Sequence, residues 1–126
     1  MDILSNPQEM QAWSRAQARQ GKSVCLVPTM GFFHQGHLSL MRRAAELCDL
    51  VVVSLFVNPS QFGPGEDLAN YPRDLERDAA LAEGEGADIL FTPTAEAMYP
   101  PGFATVVEVP ALAAGLCGRS RPVHFR

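Results

Sequence analysis

The fold of this chain is decided where an apolar run meets a turn rich in glycine and histidine and then a helical pattern. The stretch reads Val24-Cys25-Leu26-Val27-Pro28-Thr29-Met30-Gly31-Phe32-Phe33-His34-Gln35-Gly36-His37. Its apolar start predicts a short buried strand over residues 23–28, and the spacing of apolar residues after the turn predicts a helix from about Gly36 to Leu47. A strand, a tight turn and a helix in this order are typical of one unit of a parallel α/β sheet.

The turn between the strand and the helix has the features of a phosphate-binding site. A helix N-terminus presents unpaired N–H groups and a partial positive charge, so it attracts anions. His34 and His37 are three residues apart, which places both imidazoles on one face of the helix, while Gly31 and Gly36 allow close approach to the backbone. The segment therefore predicts a polyphosphate cradle with two imidazole donors. The alternative is that each histidine only caps the helix or lies on the surface.

Patterns along the rest of the chain complete an alternation of strands and helices. The expected elements are a first helix capped by Ser5 and ended by Gly21, the helix over 36–47 with a core face of Leu38, Met41, Ala44, Ala45 and Leu47, a central strand over 50–57, a helix over 73–83, a short strand over 88–92, a helical turn over 95–98 capped by Thr94, and a last strand over 105–109. Because parallel strands need crossover connections, this order predicts an α/β fold, a Rossmann-like parallel sheet with helices on both faces.

The loop over 58–65 follows the most apolar strand and contains two prolines and two glycines. Ligands of open α/β sheets bind at the carboxyl ends of the strands, so this loop is a candidate wall of the site. Gln61 offers two donors and an acceptor without a charge, which suits the binding of a hydroxy acid. The alternative is an exposed loop residue with no role.

Charged residues elsewhere fit a solvated surface. The run over 73–78 (Arg73, Asp74, Glu76, Arg77 and Asp78) is typical of a solvated helix face. Arg42 and Arg43 are expected on the surface, although one of them could reach a phosphate from the same helix. The arginines near the end, Arg119, Arg121 and Arg126, have the spacing of an extended tail.

Composition narrows the class of protein. The 126 residues are 47% hydrophobic with a net charge of −4, which predicts one globular domain and argues against a nucleic-acid partner. The apolar run over 50–57 is too short to cross a bilayer, and the first residues lack the pattern of a signal peptide, so no membrane association is expected. Three widely spaced cysteines, Cys25, Cys48 and Cys117, predict reduced thiols and a cytoplasmic location.

Four segments of the chain resemble signature segments of one enzyme family. They lie at 28–40, 51–63, 67–73 and 91–100, in order over almost the whole sequence. His34-Gln35-Gly36-His37 alone is shared with many nucleotidyltransferases, whereas Phe56-Val57-Asn58-Pro59-Ser60-Gln61-Phe62 is much more specific. On these segments the chain is identified as a member of the pantothenate synthetase (pantoate–β-alanine ligase) family, with a fold of the HxGH nucleotidyltransferase type.

The resemblance implies a reaction and a set of site residues. Pantoate and ATP form pantoyl adenylate and pyrophosphate, and β-alanine then displaces AMP to give pantothenate. The implied catalytic residues are His37, as proton donor, and His34. The implied ATP contacts are Met30, Gly31, Phe32, Phe33, His34, Gln35, Gly36 and His37. Pantoate is expected at Gln61, Pro28, Thr29 and Met30, and β-alanine beside Gln61. Mg²⁺ is expected with ATP but no metal site on the protein, and the family resemblance implies a homodimer.

The chain departs from the family pattern at its end. Val123 replaces the usual glycine of the family segment at 120–125, and the Lys-Asp-x-x-Gln and Ser-Ser-Arg-Asn motifs of the family's second half do not occur. Residues 1–126 are therefore expected to be an N-terminal nucleotide-binding domain that is truncated and has little or no ligase activity alone. Two alternatives remain open, another HxGH-type nucleotidyltransferase and an inert folded fragment.

Overall fold

The computed structural model describes residues 1–63, 68–121 and 124–125. Its elements are β1 (Asp2–Leu4), α1 (Pro7–Arg19), β2 (Val24–Thr29), α2 (Gln35–Leu47), β3 (Leu50–Leu55), a 3-10 turn (Pro59–Gln61), α3 (Leu75–Gly84), β4 (Ile89–Phe91), α4 (Ala95–Met98), α5 (Pro110–Ala113) and α6 (Cys117–Ser120). Several residues that the sequence patterns and segments include, Pro64, Gly65, Asp67, Val123 and Arg126, lie outside the described residues.

The four strands form one parallel sheet in the order β1-β4-β3-β2. In register, Val27 lies opposite Val53, and Val53 lies opposite Leu90. The chain moves from β1 across the sheet to β2 and then back through β3 to β4. Right-handed crossovers in opposite directions put the connecting helices on opposite faces. The predicted α/β class with a parallel sheet is confirmed.

The two faces of the sheet are unequally covered. Alternate residues such as Val51 and Val53 pack beneath α2 and α3 in a core of buried side chains, which contains Val27, Phe33, Leu38, Met41, Ala44, Val51, Val53, Ala82, Ala87 and Leu90. The other face carries α1 and keeps an apolar groove of about 460 Å³, bordered by Met10, Val52 and Phe91. Leu26 on this face is 62% exposed.

The predicted helix after the turn is confirmed, but its core face is narrower than expected. Leu38, Met41 and Ala44 are buried, whereas Ala45 is exposed and Leu47 is 60% exposed. Leu47, nine residues after Leu38, is rotated to the opposite face of the helix, whereas Ala45, seven residues after Leu38, shares the buried stripe but is left exposed.

The first helix begins one residue later than a Ser5 cap would give. Asn6 is the N-cap, and its Oδ1 accepts hydrogen bonds from the N–H groups of Gln8 (2.8 Å) and Glu9 (3.2 Å). Ser5 instead shares a hydrogen bond with the Thr92 hydroxyl, at 3.0 Å. The other predicted cap, Thr94, is confirmed, since its hydroxyl accepts from the Ala97 N–H at 3.2 Å.

The strands differ from the prediction at both ends of the chain. β1 is not predicted, because three residues are too few to show a period. The strand expected over 105–109 is absent: these residues are exposed, Val107 to 83%. They cannot pair with β4, because both edges of β4 are already paired, one with β1 and the other with β3.

The expectation of three reduced thiols is wrong for two of them. Cys25 and Cys48 form a disulfide, with their Cα atoms 5.7 Å apart. The pair forms because α2 runs back along β2, so its C-terminal cap returns to the start of that strand. Cys117 is free and exposed. Among the described residues, no helix is both long and apolar enough to cross a membrane.

Candidate active site

The turn after β2 is set by a buried glycine. Gly31 has φ +88°, and a Cβ added there would lie 3.1 Å from both Asp78 Oδ2 and Leu55 Cδ2. The hydroxyl of Thr29 donates to the Ser54 carbonyl (2.7 Å) and accepts the Gly31 N–H (3.3 Å), which ties the end of β2 to β3. The chain must therefore turn without a side chain at this position.

Asp78 of α3 holds the residues that follow. Its side chain is 1% exposed, and its two oxygens accept the N–H groups of Phe32 (2.6 Å) and Phe33 (2.8 Å). Arg77 donates from Nη2 to the Phe33 carbonyl (2.9 Å) and from Nη1 to Asp78 (3.3 Å), and its guanidinium lies 5.2 Å from the centre of the Phe32 ring. Two adjacent charged residues thus bind the turn from the side of α3.

This contact corrects the prediction of a solvated charged face over 73–78. Asp78 is buried, Asp74 caps α3 through the Arg77 N–H (3.1 Å), and Arg73 donates to backbone carbonyls, including that of Leu68 at 3.1 Å. The signal that could have found this is the helical period, because Asp78 lies four residues before the buried Ala82 and so shares its inward face.

The two histidines cap α2 reciprocally. Nδ1 of His34 accepts the Gly36 N–H (3.1 Å), and Nδ1 of His37 accepts the His34 N–H (3.3 Å), with 4.1 Å between the ring centres. The predicted pairing of the imidazoles on one face is thus observed, together with the capping role given as the alternative. Since Nδ1 is an acceptor in both rings, each neutral imidazole carries its hydrogen on Nε2 and presents that atom as a donor.

Glycine at position 36 permits this capping. A Cβ added to Gly36 would lie 2.9 Å from Cε1 of His34, too close for the ring to remain over the backbone. Position 36 therefore requires glycine while the imidazole of His34 caps the helix.

The pKa of His37 is lowered from its ordinary 6.5, first by partial burial, then by the charge of His34, while Asp78 acts in the opposite direction. Protonation would also place a second hydrogen on Nδ1, opposite the His34 N–H that this atom accepts. His37 in the unliganded chain is therefore a neutral donor near pH 7.

The loop that carries Gln61 is fixed through its backbone. Asn58 Oδ1 accepts from the Ser60 N–H (3.0 Å) and the Tyr99 hydroxyl (2.9 Å), which forms the 3-10 turn. The Gln61 carbonyl accepts from Arg121 Nη2 at 2.7 Å and lies 3.0 Å from Nδ1 of His124. Gln61 itself is half-buried. The spacing of Arg121 predicts an extended tail, but this residue instead contacts the loop that carries Gln61.

A cavity of about 310 Å³ lies where the carboxyl ends of the strands meet. Met30 and Gly31 line it from the turn, Phe56 from the end of β3, Thr92 from the end of β4 and Asp78 from α3. This is the edge at which parallel sheets bind ligands. The remaining predicted site residues are not in its lining: Pro28 is exposed, Phe33 is buried in the core, and His34, His37 and Gln61 lie outside it.

Arg42 and Arg43 pair with surface carboxylates. Arg42 contacts Glu85 at 2.5 Å and Arg43 contacts Glu46 at 2.7 Å, as expected for surface groups. Within the part of the chain that the structure describes, no group of three or more histidine, cysteine or acidic side chains is placed to hold a metal ion.

Comparison with known proteins places this geometry in a family. The profile of pantoate-beta-alanine ligase matches residues 2–126. The chain belongs to the pantoate–β-alanine ligase family. It is 61% identical to the pantothenate synthetase of Heliobacterium modesticaldum and 62% identical to that of Nitratidesulfovibrio vulgaris, over all 126 residues in each case, which cover 45% and 44% of those relatives. The chain thus spans less than half the length of these ligases.

Solved ligase structures have the same fold. Pantothenate synthetase from Thermus thermophilus superposes with a TM-score of 0.87 at 52% identity, over 99% of this chain and 44% of that protein. The pantoate-beta-alanine ligase of Francisella tularensis, complexed with beta-gamma ATP and β-alanine, superposes with a TM-score of 0.89 at 36% identity, over 99% of this chain and 48% of that one. The fold and family implied by the sequence segments are confirmed.

Proposed function

We propose that residues 1–126 form the N-terminal nucleotide-binding domain of a pantoate–β-alanine ligase and are an incomplete form of that enzyme. The reaction condenses pantoate with β-alanine through pantoyl adenylate and releases pyrophosphate and AMP. The observation that carries this proposal is the reciprocal cap of His34 and His37 at the carboxyl end of β2. Support comes from the close superposition on a ligase that is complexed with beta-gamma ATP and β-alanine.

In the first step a carboxylate oxygen of pantoate attacks the α-phosphorus of ATP, and the bond from phosphorus to the bridging oxygen of pyrophosphate breaks. Negative charge increases on the phosphate oxygens as this happens. Preorganised donors stabilise such charge, and Nε2–H of His37 and of His34 are donors of this kind. A bound polyanion would raise the pKa of His37, so that it can deliver a proton to the leaving group.

The remaining predicted contacts follow the chain around this point. ATP is assigned to the turn and helix start at Met30, Gly31, Phe32, Phe33, His34, Gln35, Gly36 and His37. Pantoate is assigned to Pro28, Thr29, Met30 and Gln61. In the second step the amine nitrogen of β-alanine, held beside Gln61, bonds to the acyl carbon and loses a proton to solvent, and the bond from that carbon to the AMP oxygen breaks.

Three further properties belong to the proposal. Mg²⁺ enters with ATP and is held by the triphosphate rather than by a protein cluster. The enzyme is a homodimer. It works in the cytoplasm, where the Cys25–Cys48 pair would meet reducing conditions.

The test compares this polypeptide with one continued to the length of its relatives. AMP release is measured with ATP, pantoate and β-alanine, and ATP binding by calorimetry. The longer form is expected to turn over, and His37→Ala in it should lower kcat by about 10²-fold or more through loss of a transition-state donor. The 126-residue chain is expected to bind ATP weakly and to show little or no turnover.

Two results would contradict the proposal. Pyrophosphate release with another acid but not with pantoate would indicate a different HxGH-type nucleotidyltransferase. No binding of ATP by the 126-residue chain, with turnover by the longer form, would indicate an inert folded fragment.

A further inference from the structure

We propose that Asp78 is a positioning residue, which fixes the turn over 31–33 and thereby the places of His34 and His37 in the phosphate site. The inference rests on the proposed function of that site. It assigns a task to a buried carboxylate on a separate helix, 41 positions beyond His37 in the sequence.

The contact is specific to two successive backbone groups. Asp78 accepts the N–H groups of Phe32 and Phe33 at 2.6 and 2.8 Å, one on each carboxylate oxygen. Hydrogen bonds to an ionised acceptor are shorter and stronger than neutral ones. His34 follows Phe33 directly, so the carboxylate fixes the backbone from which the first imidazole extends.

The turn needs such a partner because its backbone is strained. Phe32 has φ +52° and Gly31 has φ +88°, and a left-handed conformation is costly for a phenylalanine. Such a conformation persists only where neighbouring groups hold it. Asp78 supplies that hold, and Arg77 adds a second from Nη2 to the Phe33 carbonyl.

Burial of the Asp78 carboxylate makes its hydrogen-bond partners essential. A carboxylate that is 1% exposed must have its charge compensated, and here the partners are the two N–H groups and the Arg77 guanidinium. The close approach of the carboxylate also requires glycine at position 31, since a Cβ there would lie 3.1 Å from Asp78 Oδ2. A change at Asp78 therefore removes two hydrogen bonds from the turn.

The experiment uses the 126-residue chain and the variant Asp78→Asn, which keeps the size of the side chain but turns one acceptor into an N–H₂ donor. Amide resonances of Phe32 and Phe33 are followed by ¹H–¹⁵N NMR, and binding of inorganic pyrophosphate is titrated on the same samples. The matched control is Glu76→Gln, an equal loss of charge at an exposed position of the same helix.

In Asp78→Asn we expect the amide protons of Phe32 and Phe33 to move upfield. Pyrophosphate binding should weaken about tenfold, which corresponds to the loss of one charge-assisted hydrogen bond. Methyl resonances of Val53 and Leu90 should keep their positions, which reports an intact core. If Asp78→Asn does not fold, Arg77→Gln tests the same connection from a half-exposed side chain, and should shift the Phe33 amide and weaken binding in the same direction.

Unchanged Phe32 and Phe33 amides, or pyrophosphate affinity equal to that of the Glu76→Gln control, would overturn the role of Asp78. Absence of pyrophosphate binding by the unsubstituted chain would instead count against the proposed function. In that case the amide shifts still decide whether Asp78 holds the turn.

Discussion

His34 and His37 each combine a capping acceptor and a hydrogen-bond donor in one imidazole ring. Each imidazole uses Nδ1 to accept a backbone N–H at the start of α2, and each keeps Nε2–H as a donor. The capping hydrogen bonds fix the tautomer, so the donor is oriented before any ligand arrives. A residue that caps with an oxygen atom, such as serine, would cap the helix without offering an imidazole N–H.

This arrangement predicts how His37 titrates. By ¹H–¹⁵N NMR, its pKa in the free chain should lie below 6.5, and it should rise in His34→Ala because the neighbouring charge is removed. Added pyrophosphate should raise it as well. Between the folded value and 6.5 the unfolded state binds more protons, so stability falls as pH drops through that window and is unaffected above it. A pKa above 6.5 in the unliganded chain would contradict this account.

Gln61 should affect the binding of pantoate and not that of ATP. In the polypeptide of full family length, Gln61→Ala is expected to raise the KM for pantoate about tenfold or more, the weight of a lost hydrogen-bonding partner, and to leave the KM for ATP nearly unchanged. Steady-state kinetics with each substrate varied in turn provide the measurement. Ser120→Ala is a suitable control, since its hydroxyl donates to the Cys117 carbonyl within α6. A rise in the KM for ATP alone would remove Gln61 from the pantoate site.

Among the elements, the β2–turn–α2 unit is also closed covalently. The disulfide joins the start of β2 to the cap after α2, with a sequence separation of 23, and encloses all the candidate ATP contacts. Closing a loop of this length restricts the unfolded chain and stabilises the fold by roughly 3 kcal/mol.

We therefore expect a reducing agent to lower the free energy of unfolding by up to about 3 kcal/mol in urea denaturation. Cys117→Ser should respond like the original chain, and the double variant Cys25→Ala, Cys48→Ala should not respond at all. An identical urea midpoint with and without reductant would show that the pair does not constrain the chain.

Elements with a long and regular pattern can be predicted from the sequence. Elements that are short, or that form only by pairing with a distant segment, cannot. α2 and β3 are predictable because their apolar residues recur over many positions. β1 has three residues, and its existence depends on β4, which lies 87 positions further along. The stretch over 105–109 has strand-like composition but meets no open edge at β4. Asp78 is a charged residue, so the sequence predicts that it is exposed to solvent. It is buried because it binds the turn between β2 and α2, a contact that the sequence does not reveal.

At the scale of the whole molecule, the unequal cover of the sheet has an energetic consequence. Leu90 is fully buried beneath α2 and α3, whereas Leu26 is 62% exposed on the face that carries α1. Leu90→Ala should cost about 2–5 kcal/mol, and Leu26→Ala about 0.5 kcal/mol or less, although both are strand leucines changed in the same way. Chemical denaturation of the two variants provides the comparison. Equal losses would mean that both faces are covered to the same degree.

The strand order also determines the sequence in which the strands can pair while the chain is being synthesised. Asp2, Ile3 and Leu4 pair with Ile89, Leu90 and Phe91, so β1 cannot pair until β4 has been made. Contacts so distant along the chain form slowly, because the intervening segment must first be brought together. The β2–α2–β3 region can assemble on the ribosome while β1 is still without its neighbour. The nascent chain is thus expected to form the turn between β2 and α2, once α3 brings Asp78 against it, before β1 pairs with β4, and to expose an unpaired β4 edge until β1 adds to it.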